Sequence, residues 1–455
     1  MYMEAEKLIQ VVPSKRQLRH QQLEFYGFFH YSINTYTGRE WGDGTESPLL
    51  FSPEHPDAEQ WVKAIKAAGM KGAILTCKHH DGFCLWPSKY TSHSVAASPY
   101  KEGKGDVVRE VADACQKEGL KFGIYLSPWD RNQPCYGEGK AYDDYFVHQL
   151  TELLTGYGDI FCVWLDGACG EGKNGKVQRY DWERYFEVIR TLQPDACISV
   201  CGPDVRWCGN EAGDTRPEEW SVVPKHLCDT ERIKELSQQE DQEEFRNRKI
   251  SSSDLDLGSR NALAGEEELI WYPAEVDVSI RPGWFYHPEE DEQVRSLENL
   301  VHIYDTSVGG NAMLLLNVPP APDGKIREID VKRLKELGDF IRNRQKDNPL
   351  EEPDCQIVEL PAASDVGSSV EISWNEKKEI SFLVLQEEIR YSQRAEHFEI
   401  RDLENGAVLA EGTTIGYKKH ISIPPHKTAG IRFCILESRG MPMAKVTGVY
   451  GPVFR

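Results

Sequence analysis

Apolar strand-like segments that alternate with amphipathic helical segments restrict the fold of this chain more than any other feature of its sequence. Residues 161–170, FCVWLDGACG, are typical, because large apolar residues lead to one carboxylate, Asp166, and a turn of small residues. Helical segments such as DVVREVADACQKEGL place apolar residues three and four positions apart. Strands that alternate with helices pair in parallel, and continuously apolar strands are buried on both faces. Five such units in the first 205 residues therefore predict an α/β fold with a TIM-like (β/α)8 barrel.

The pattern changes near the C-terminus and predicts a second domain. DVKRLKELGDFIRNRQ is typical of a terminal helix, and KDNPLEEPD is typical of a linker. Beyond residue 353, short alternating segments such as HFEIRDLENGAVLAEG are divided by turn residues, as in a β-sandwich. We therefore predict a barrel domain over residues 1–347 and a C-terminal β-sandwich accessory domain over residues 348–455. The polar stretch 225–268 is predicted to be an excursion from the rim of the barrel.

The composition excludes some classes of partner. The formal net charge is -21, whereas nucleic acids and anionic membranes are bound by basic surfaces, so we expect neither as a partner. No apolar run is long enough to span a membrane. The first 22 residues contain no apolar segment of signal-peptide type, which predicts a cytoplasmic protein, or a secreted or surface one if a leader has been removed. The 12 cysteines form no CxxC pair, and several lie in strand-like runs, which predicts reduced thiols.

Polar and aromatic residues follow several of the predicted strands, where the residues of a barrel handle its ligand. These residues are His30, His79, His80, Trp129, Asp130, Asp166 and Asp204. Adjacent strand residues point to opposite faces, so the pair His79–His80 is poorly arranged to share a metal ion, and no HExxH motif or Cys/His cluster is present. We therefore predict no metal and no other cofactor. The histidines fit either hydrogen bonds to a polyhydroxylated ligand or a structural role.

Tryptophans near the predicted strand ends favour a sugar as that ligand, since apolar ring faces stack on aromatic side chains. They are Trp41, Trp86, Trp129, Trp164, Trp207 and Trp284. For any one of them, simple packing is an equal alternative. Glycoside hydrolysis needs two carboxyl groups, and Asp166 is the first candidate. The segment CGPDVRWCGNEAGDTRPEEW offers several candidates for the second, among which spacing does not choose: Asp204, Glu211, Asp214, Glu218 and Glu219.

Six motifs in order along the chain resemble those of one enzyme family. They are FYGFFHYS, KHHDGFCLW, WLDG, GPDVRWCGNE, DLGSR and EVDVSIRPGWFYH. Together they resemble glycoside hydrolase family 29, the retaining α-L-fucosidases, over most of residues 24–320. The forms of the last three are similar to those of the subgroup that cleaves α-1,3- and α-1,4-linked fucose from branched, Lewis-type oligosaccharides. The resemblance implies hydrolysis by double displacement, with a fucosylated oligosaccharide as the binding partner.

The resemblance also implies roles for individual residues. Asp166 of WLDG is expected to be the nucleophile, and Glu211 of GNE the acid/base, with Glu218 and Glu219 as alternatives. An apolar neighbour such as Trp207 could raise the pKa of that acid. The implied fucose-binding residues are His30, Glu40, Trp41, His79, His80, Tyr125, Trp164, Arg281 and Trp284.

Some of these assignments have alternatives within the sequence. Glu46 competes with Glu40 for the same role. Arg281 and Trp284 are expected to border the pocket or an adjoining subsite, and the alternative for Arg281 is an ion pair with Glu275 or Asp277. Two other functions remain open. A non-catalytic fucose-binding protein would not need paired acids, and a metal-dependent barrel hydrolase would bind zinc.

Overall fold

The computed structural model describes residues 5–237, 243–360 and 368–453. The strands of the first part of the chain are β1 (Phe25–Phe29), β2 (Gly72–Lys78), β3 (Lys121–Leu126), β4 (Ile160–Leu165), β5 (Cys197–Val200), β6 (Arg206–Trp207), β7 (Val222–Pro224), β8 (Leu269–Trp271), β9 (Ala274–Ser279) and β10 (Met313–Asn317). Those of the last part are β11 (Gln356–Leu360), β12 (Ser369–Glu387), β13 (Ala395–Asp402), β14 (Val408–Gly412), β15 (Lys419–Ser438) and β16 (Ala444–Tyr450).

Helices connect most of the strands in the first part of the chain. The helices are α1 (Ala5–Ile9), α2 (Lys15–Gln21), α3 (Asn34–Thr37), α4 (Ala58–Ala67), α5 (Val107–Glu118), α6 (Lys140–Gly156), α7 (Trp182–Leu192), α8 (Thr230–Ser237), α9 (Glu243–Arg246), α10 (Leu297–Ser307) and α11 (Glu328–Arg344). Helix α5 illustrates their boundaries, because the Asp106 side chain accepts a hydrogen bond from Arg109 N and Gly119 ends the helix in the left-handed conformation. None of the helices within the described ranges is long and apolar enough to cross a membrane.

Eight strands form one parallel sheet in the order β5-β4-β3-β2-β1-β10-β9-β6. β10 pairs with β1, which joins the end of the chain's barrel segment to its beginning. A parallel bridge between Ser199 and Val205 brings the two ends of the sheet together, so the barrel is nearly closed. Every residue of β1, β2 and β10 is buried, as expected for strands inside a ring of helices. The predicted (β/α)8 barrel is confirmed.

The polar stretch 225–268 lies between β7 and β8, which pair with each other in antiparallel orientation. It contains α8 and α9, and residues 238–242 within it lie outside the described part of the chain. The second part of the chain forms an antiparallel sheet in the order β11-β12-β15-β13-β14, with β16 on β12. Apolar side chains such as Ile372, Phe398 and Phe433 form its own core. The prediction of a β-domain after the barrel is confirmed.

A charged cluster joins the β-domain to the segment 225–268. Glu396 accepts hydrogen bonds from the guanidinium groups of Arg260 and Arg439. Arg439 is fully buried, donates to the carbonyl of Gly258, and lies with its guanidinium carbon 3.9 Å from the ring centroid of Trp220. One arginine of the β-domain therefore contacts both the polar stretch, at Gly258, and the residue Trp220 that precedes it.

Candidate active site

One cavity opens at the carboxyl ends of the barrel strands. Its walls are formed by Phe28, His30, Trp41, His79, His80, Tyr125, Trp164, Asp166, Ala168, Val200, Trp207, Glu211, Ser237, Phe245, Asp277 and Trp284. Nine of the eleven residues proposed from the sequence are among them; Glu40 and Arg281 are not. The position agrees with the rule that TIM-like barrels place their ligand at this face.

Asp166 directly follows β4 and is held by two donors. Ala168 N donates to Oδ1 at 2.8 Å, and the Tyr125 hydroxyl donates to Oδ2 at 2.8 Å. His80 Nε2 lies 3.8 Å from Oδ2. Burial raises the pKa of Asp166, and both hydrogen bonds act in the opposite direction because they stabilise the carboxylate. The apolar strand thus ends in an acid that is fixed in position and reaches the cavity.

Glu211 lies in the loop after β6, which a neighbouring amide shapes. Asn210 Oδ1 accepts from the backbone N–H groups of Ala212 and Asp214, both at 3.0 Å, and Asn210 Nδ2 donates to the carbonyl of Asp214. The indole N–H of Trp284 donates to Glu211 Oε2 at 3.0 Å. These contacts orient the Glu211 carboxyl group on the wall of the cavity.

The other carboxylates of the same segment serve different contacts. Asp204 pairs with Arg16 and Arg190 and accepts from Ile198 N. Glu219 is buried between Arg206 and Arg216, which hold its pKa below the ordinary value. Asp214 accepts from Ile250 N, and Glu218 lies near Lys419. Of the five candidates for a second carboxyl group, the cavity contains Glu211.

Three buried histidines line the cavity in their neutral form. His30 Nδ1 lies 2.8 Å from Asn317 Oδ1, and His80 Nδ1 lies 2.7 Å from Ser127 Oγ. Burial lowers the pKa of His30 and of His80 to about 3 in each case, and it holds the pKa of His79 well below its ordinary value. A neutral imidazole can donate one hydrogen bond and accept another, which suits a ligand with hydroxyl groups.

The expectation that His79 and His80 point to opposite faces is wrong. β2 ends at Lys78, so the alternation of strand side chains does not extend to either histidine. Both line the cavity, and their ring centroids are 4.1 Å apart. Within the described ranges, the histidine and acidic groups close enough to hold a metal ion lie in the β-domain, at His397, Glu399 and Glu411.

Two tryptophans of the cavity are anchored by acids of β9. The Trp164 indole N–H donates to Glu275 Oε1 at 2.7 Å, and the Trp207 indole N–H donates to Asp277 Oδ1 at 2.7 Å. Tyr125 stacks on Trp164 with ring centroids 5.3 Å apart. By contrast, Trp86 is buried away from the cavity and donates its indole N–H to Glu152, so its role is in packing. The cavity therefore combines fixed aromatic rings with carboxyl groups and imidazoles.

Glu40 supports the cavity from behind rather than lining it. It accepts hydrogen bonds from the backbone N–H groups of Trp284 and Phe285, and it lies 2.6 Å from His287 Nε2. Glu46 is buried and accepts from the N–H groups of Asp43 and Gly44, at 2.8 Å each. Of these two acids, Glu40 is thus the one that fixes the turn carrying Trp284.

The structure does not bring Arg281 into the cavity. Its side chain is fully buried and forms ion pairs with Asp330, at 2.9 Å, and with Asp291, at 2.8 Å. The ion-pair alternative therefore describes this residue, although the predicted partners Glu275 and Asp277 are wrong. Arg281 contributes to an adjoining depression that shares Glu211 and Trp284 with the cavity.

Several cavity residues were not identified from the sequence. Phe28 lies on β1, two positions before His30, which follows the strand, and an apolar residue inside a buried strand gives no local signal that it lines a cavity. Asp277 is an acid inside an apolar strand, which was a signal of the same kind as Asp166. Ser237 and Phe245 belong to the segment 225–268, and no local pattern indicates that they contact the barrel rim.

Comparisons with known proteins agree on one family. Residues 14–346 match the family model described as alpha-L-fucosidase. Alpha-L-fucosidase 1 of Arabidopsis thaliana is 36% identical over 96% of this chain and 87% of its own length. A crystal structure from Bacteroides ovatus is similar with a TM-score of 0.88 at 45% identity, over 99% of this chain and 76% of that one. A glycoside hydrolase 29 family member from a rumen bacterium gives a TM-score of 0.82 at 39% identity, over 98% and 78%.

We expect Arg281→Met to destabilise the fold. The substitution leaves Asp330 buried without its cationic partner, which should lower the free energy of unfolding by about 3–5 kcal/mol. Urea unfolding at pH 7 measures the loss. Arg342→Met is the control, because Arg342 and Asp339 are exposed on the same helix as Asp330, and it should change the free energy by less than about 1 kcal/mol. Equal stability of the two variants would contradict the assignment.

Proposed function

Because the chain belongs to the alpha-L-fucosidase family, glycoside hydrolase family 29, we propose that it releases α-1,3- and α-1,4-linked L-fucose from branched, Lewis-type oligosaccharides by double displacement. It is a glycoside hydrolase that acts on fucosylated substrates. The linkage preference, the retaining mechanism and the residue roles are the proposed part of this function.

Two carboxyl groups from separate elements line one cavity, and this observation supports the mechanism most strongly. Asp166 follows β4, and Glu211 lies in the loop after β6. Retaining glycosidases use such a pair on the two sides of one glycosidic bond, roughly 5–5.5 Å apart, one as nucleophile and one as acid/base. A non-catalytic fucose-binding protein has no need for the second acid.

The proposed reaction has two steps. In the first, a carboxylate oxygen of Asp166 forms a bond to the anomeric carbon, the bond to the leaving sugar breaks, and Glu211 gives its proton to the departing oxygen. In the second, the Glu211 carboxylate takes a proton from water as the water oxygen attacks the anomeric carbon. The bond to Asp166 then breaks, and fucose leaves with both acids restored.

The environments of the two acids suit these different roles. Asp166 accepts two hydrogen bonds that favour its ionised form, as a nucleophile requires. Glu211 is oriented by the Trp284 N–H on Oε2 and lies beside the half-buried ring of Trp207, so its carboxyl group lines the same cavity as Asp166. Glu219 is less suited to donate a proton, because two arginines hold it as a carboxylate.

The remaining walls suit recognition of fucose. L-Fucose carries hydroxyl groups and an apolar methyl group, so its site needs both hydrogen-bonding and apolar partners. The neutral histidines supply the first, and aromatic rings such as Phe28 and Trp164 supply the second.

A second depression supports action on branched substrates. It adjoins the cavity through Glu211 and Trp284, on the side where an acid/base would meet the leaving group. Its other walls are largely polar and are formed by Glu243, Arg246, Asn247, Ser279, Arg281, Pro282, Gln293 and Arg295. Sugars beyond the fucose could occupy this depression and contribute binding energy to the transition state.

The linkage preference can be tested with a panel of substrates. We expect kcat/KM for the Lewis a and Lewis x trisaccharides to exceed that for an aryl α-L-fucoside or an α-1,2-fucosylated lactose by roughly tenfold or more, equivalent to about 1.4 kcal/mol. Released fucose is the readout. Equal rates on all substrates would contradict the linkage assignment, and no release from any substrate would contradict the catalytic function.

Removal of Asp166 should abolish turnover and permit chemical rescue. For Asp166→Ala with an aryl fucoside, kcat should fall by roughly three orders of magnitude or more. Azide should restore activity by entering the vacated space, and the product should be β-L-fucosyl azide, identified by NMR. Asp159→Ala, at an exposed position directly before the same strand, is the control and should keep wild-type activity without forming the azide. Turnover by Asp166→Ala without azide would remove Asp166 from the nucleophile role.

The pH profile should depend on Tyr125. Its hydroxyl lowers the pKa of Asp166, so Tyr125→Phe should raise that pKa and move the acid limb of kcat/KM to higher pH by roughly one unit. Tyr142→Phe removes a buried hydroxyl that donates to the carbonyl of Pro128 instead, and it should leave the acid limb unchanged. An unchanged limb in Tyr125→Phe would show that Asp166 does not set it.

A further inference from the structure

A separate cavity lies behind Trp207, outside the active-site cavity. It is bounded by the end of β6, by α8 and by residues 248–251, and Trp207 is the residue that lines both cavities. Its volume is about 190 Å³. An apolar cavity of about 150 Å³ admits benzene, so this one has room for a small ring and one substituent.

This arginine cavity is rich in positive charge. Five cationic side chains line it: Arg206, Arg216, Arg232, Arg248 and Lys249. Asp254 is the acid among its lining residues. Arg232 and Lys249 are exposed and form no ion pair with a described residue. Like charges repel one another unless an anion compensates them, and this local excess occurs in a chain whose formal net charge is -21.

Two of the arginines are buried behind the cavity wall. Arg206 and Arg216 are each 6% exposed, and both pair with the same carboxylate, Glu219. Arg216 donates Nε to the carbonyl of Asp254 and Nη1 to the carbonyl of Cys208, which leaves its Nη2 without an acceptor among the described residues. An unpaired donor on a buried charged group is costly, so this nitrogen indicates an acceptor that the chain itself does not supply.

The loop after β6 leaves open space beside that nitrogen. A side-chain carbon placed on Gly209 would have Arg216 Nη2 as its nearest described neighbour, at 4.0 Å. Arg248 donates Nη2 to the carbonyl of Gly209 at 2.9 Å, and its guanidinium carbon lies 5.6 Å from the centre of the Trp207 ring. Arg216 and Arg248 thus bind the carbonyls of two consecutive residues, Cys208 and Gly209, so two guanidinium groups from different segments converge there.

The remaining walls of the arginine cavity are largely apolar. They include Leu227, Ile233, Leu236, Ile250, Leu257 and Tyr272. Leu236 is 44% exposed, so apolar surface is accessible from solvent as well as inside. A ligand that matches these walls carries an apolar part next to its charge, because burial of apolar surface contributes to affinity.

We propose that the arginine cavity is a second binding site, distinct from the fucose-binding cavity, for a small organic phosphate or sulfate ester. The ester's anionic group offers three free oxygens, which suits guanidinium groups that come from separate segments, whereas a carboxylate offers two. The apolar walls contact the ring or chain that carries the anion.

Titration calorimetry of the full chain with phenyl phosphate at pH 7 tests the proposal. We expect saturable binding with a Kd below about 1 mM. Inorganic phosphate lacks the ring and should bind at least about threefold more weakly. Benzoate carries a planar carboxylate and should bind at least about tenfold more weakly. Phenyl sulfate distinguishes the two sources of the anion, since the tighter ester identifies the natural group. Failure of both esters to saturate, or equal binding of benzoate or inorganic phosphate, would overturn the inference.

A variant of Arg248 locates the bound ester. Arg248→Gln should raise the Kd of phenyl phosphate at least about tenfold, because it removes one of the converging guanidinium groups. Arg246→Gln is the matched control, since it removes the same charge two positions earlier from the depression beside Glu211, and it should keep the Kd within about twofold. An unchanged Kd in Arg248→Gln, or an equal loss in both variants, contradicts the assigned site.

Two further measurements keep the test decisive. Saturating L-fucose should leave the Kd of phenyl phosphate unchanged, whereas competition would place the ester in the active-site cavity and overturn the inference. If Arg248→Gln does not fold, the double variant Arg232→Gln/Lys249→Gln changes two exposed side chains and should raise the Kd at least about threefold. An unchanged Kd there would also overturn it. Because no turnover is measured, these outcomes are independent of the proposed function.

Discussion

Parallel hydrogen bonding around a nearly closed sheet is the constraint on which the site depends. Each strand pairs in register with neighbours that come from distant parts of the chain, as Phe28 does with Asn317 on one side and Ile74 on the other. Because every strand runs in the same direction, all their carboxyl ends meet at one rim. Residues as far apart as His30 and Trp284 therefore line one cavity, and no single segment has to contain the site.

The sequence predicts those parts of the site that follow from strand periodicity or from family motifs. Asp166 and Trp164 could be placed because an apolar strand leads directly to them. The ion pair of Arg281 could not be predicted, since its partner Asp330 lies 49 residues away on a helix and only packing brings the two together. The role of Glu40 could not be predicted for the same reason, because it accepts a hydrogen bond from the backbone N–H of Trp284, 244 residues away. Such contacts are set by tertiary geometry, which local patterns do not contain.

The electrostatics of the cavity depend on desolvation more than on net charge. A formal net charge of -21 favours protonated histidines, but burial lowers the pKa of the cavity histidines and keeps them neutral. The same burial raises the pKa of Asp166 and brings that of Glu275 to about 7. Hydrogen bonds from Tyr125, Tyr26 and the tryptophan indoles counteract this effect at individual acids. The charge state of each acid and histidine in the site is therefore determined by its own burial and hydrogen bonds.

The cluster of Arg260, Glu396 and Arg439 has a consequence for how this protein can be modified. Arg439 is supplied by the β-domain, yet it contacts the backbone at Gly258 and the ring of Trp220, in the region that also provides Phe245 to the cavity wall. The β-domain is thus a structural support for the barrel rather than a detachable module. An enzyme shortened to end at the linker would lose Arg439 and expose Gly258 and Trp220 to solvent. An exchange of β-domains among relatives would have to transfer Arg260 of the barrel segment together with Glu396 and Arg439 of the β-domain.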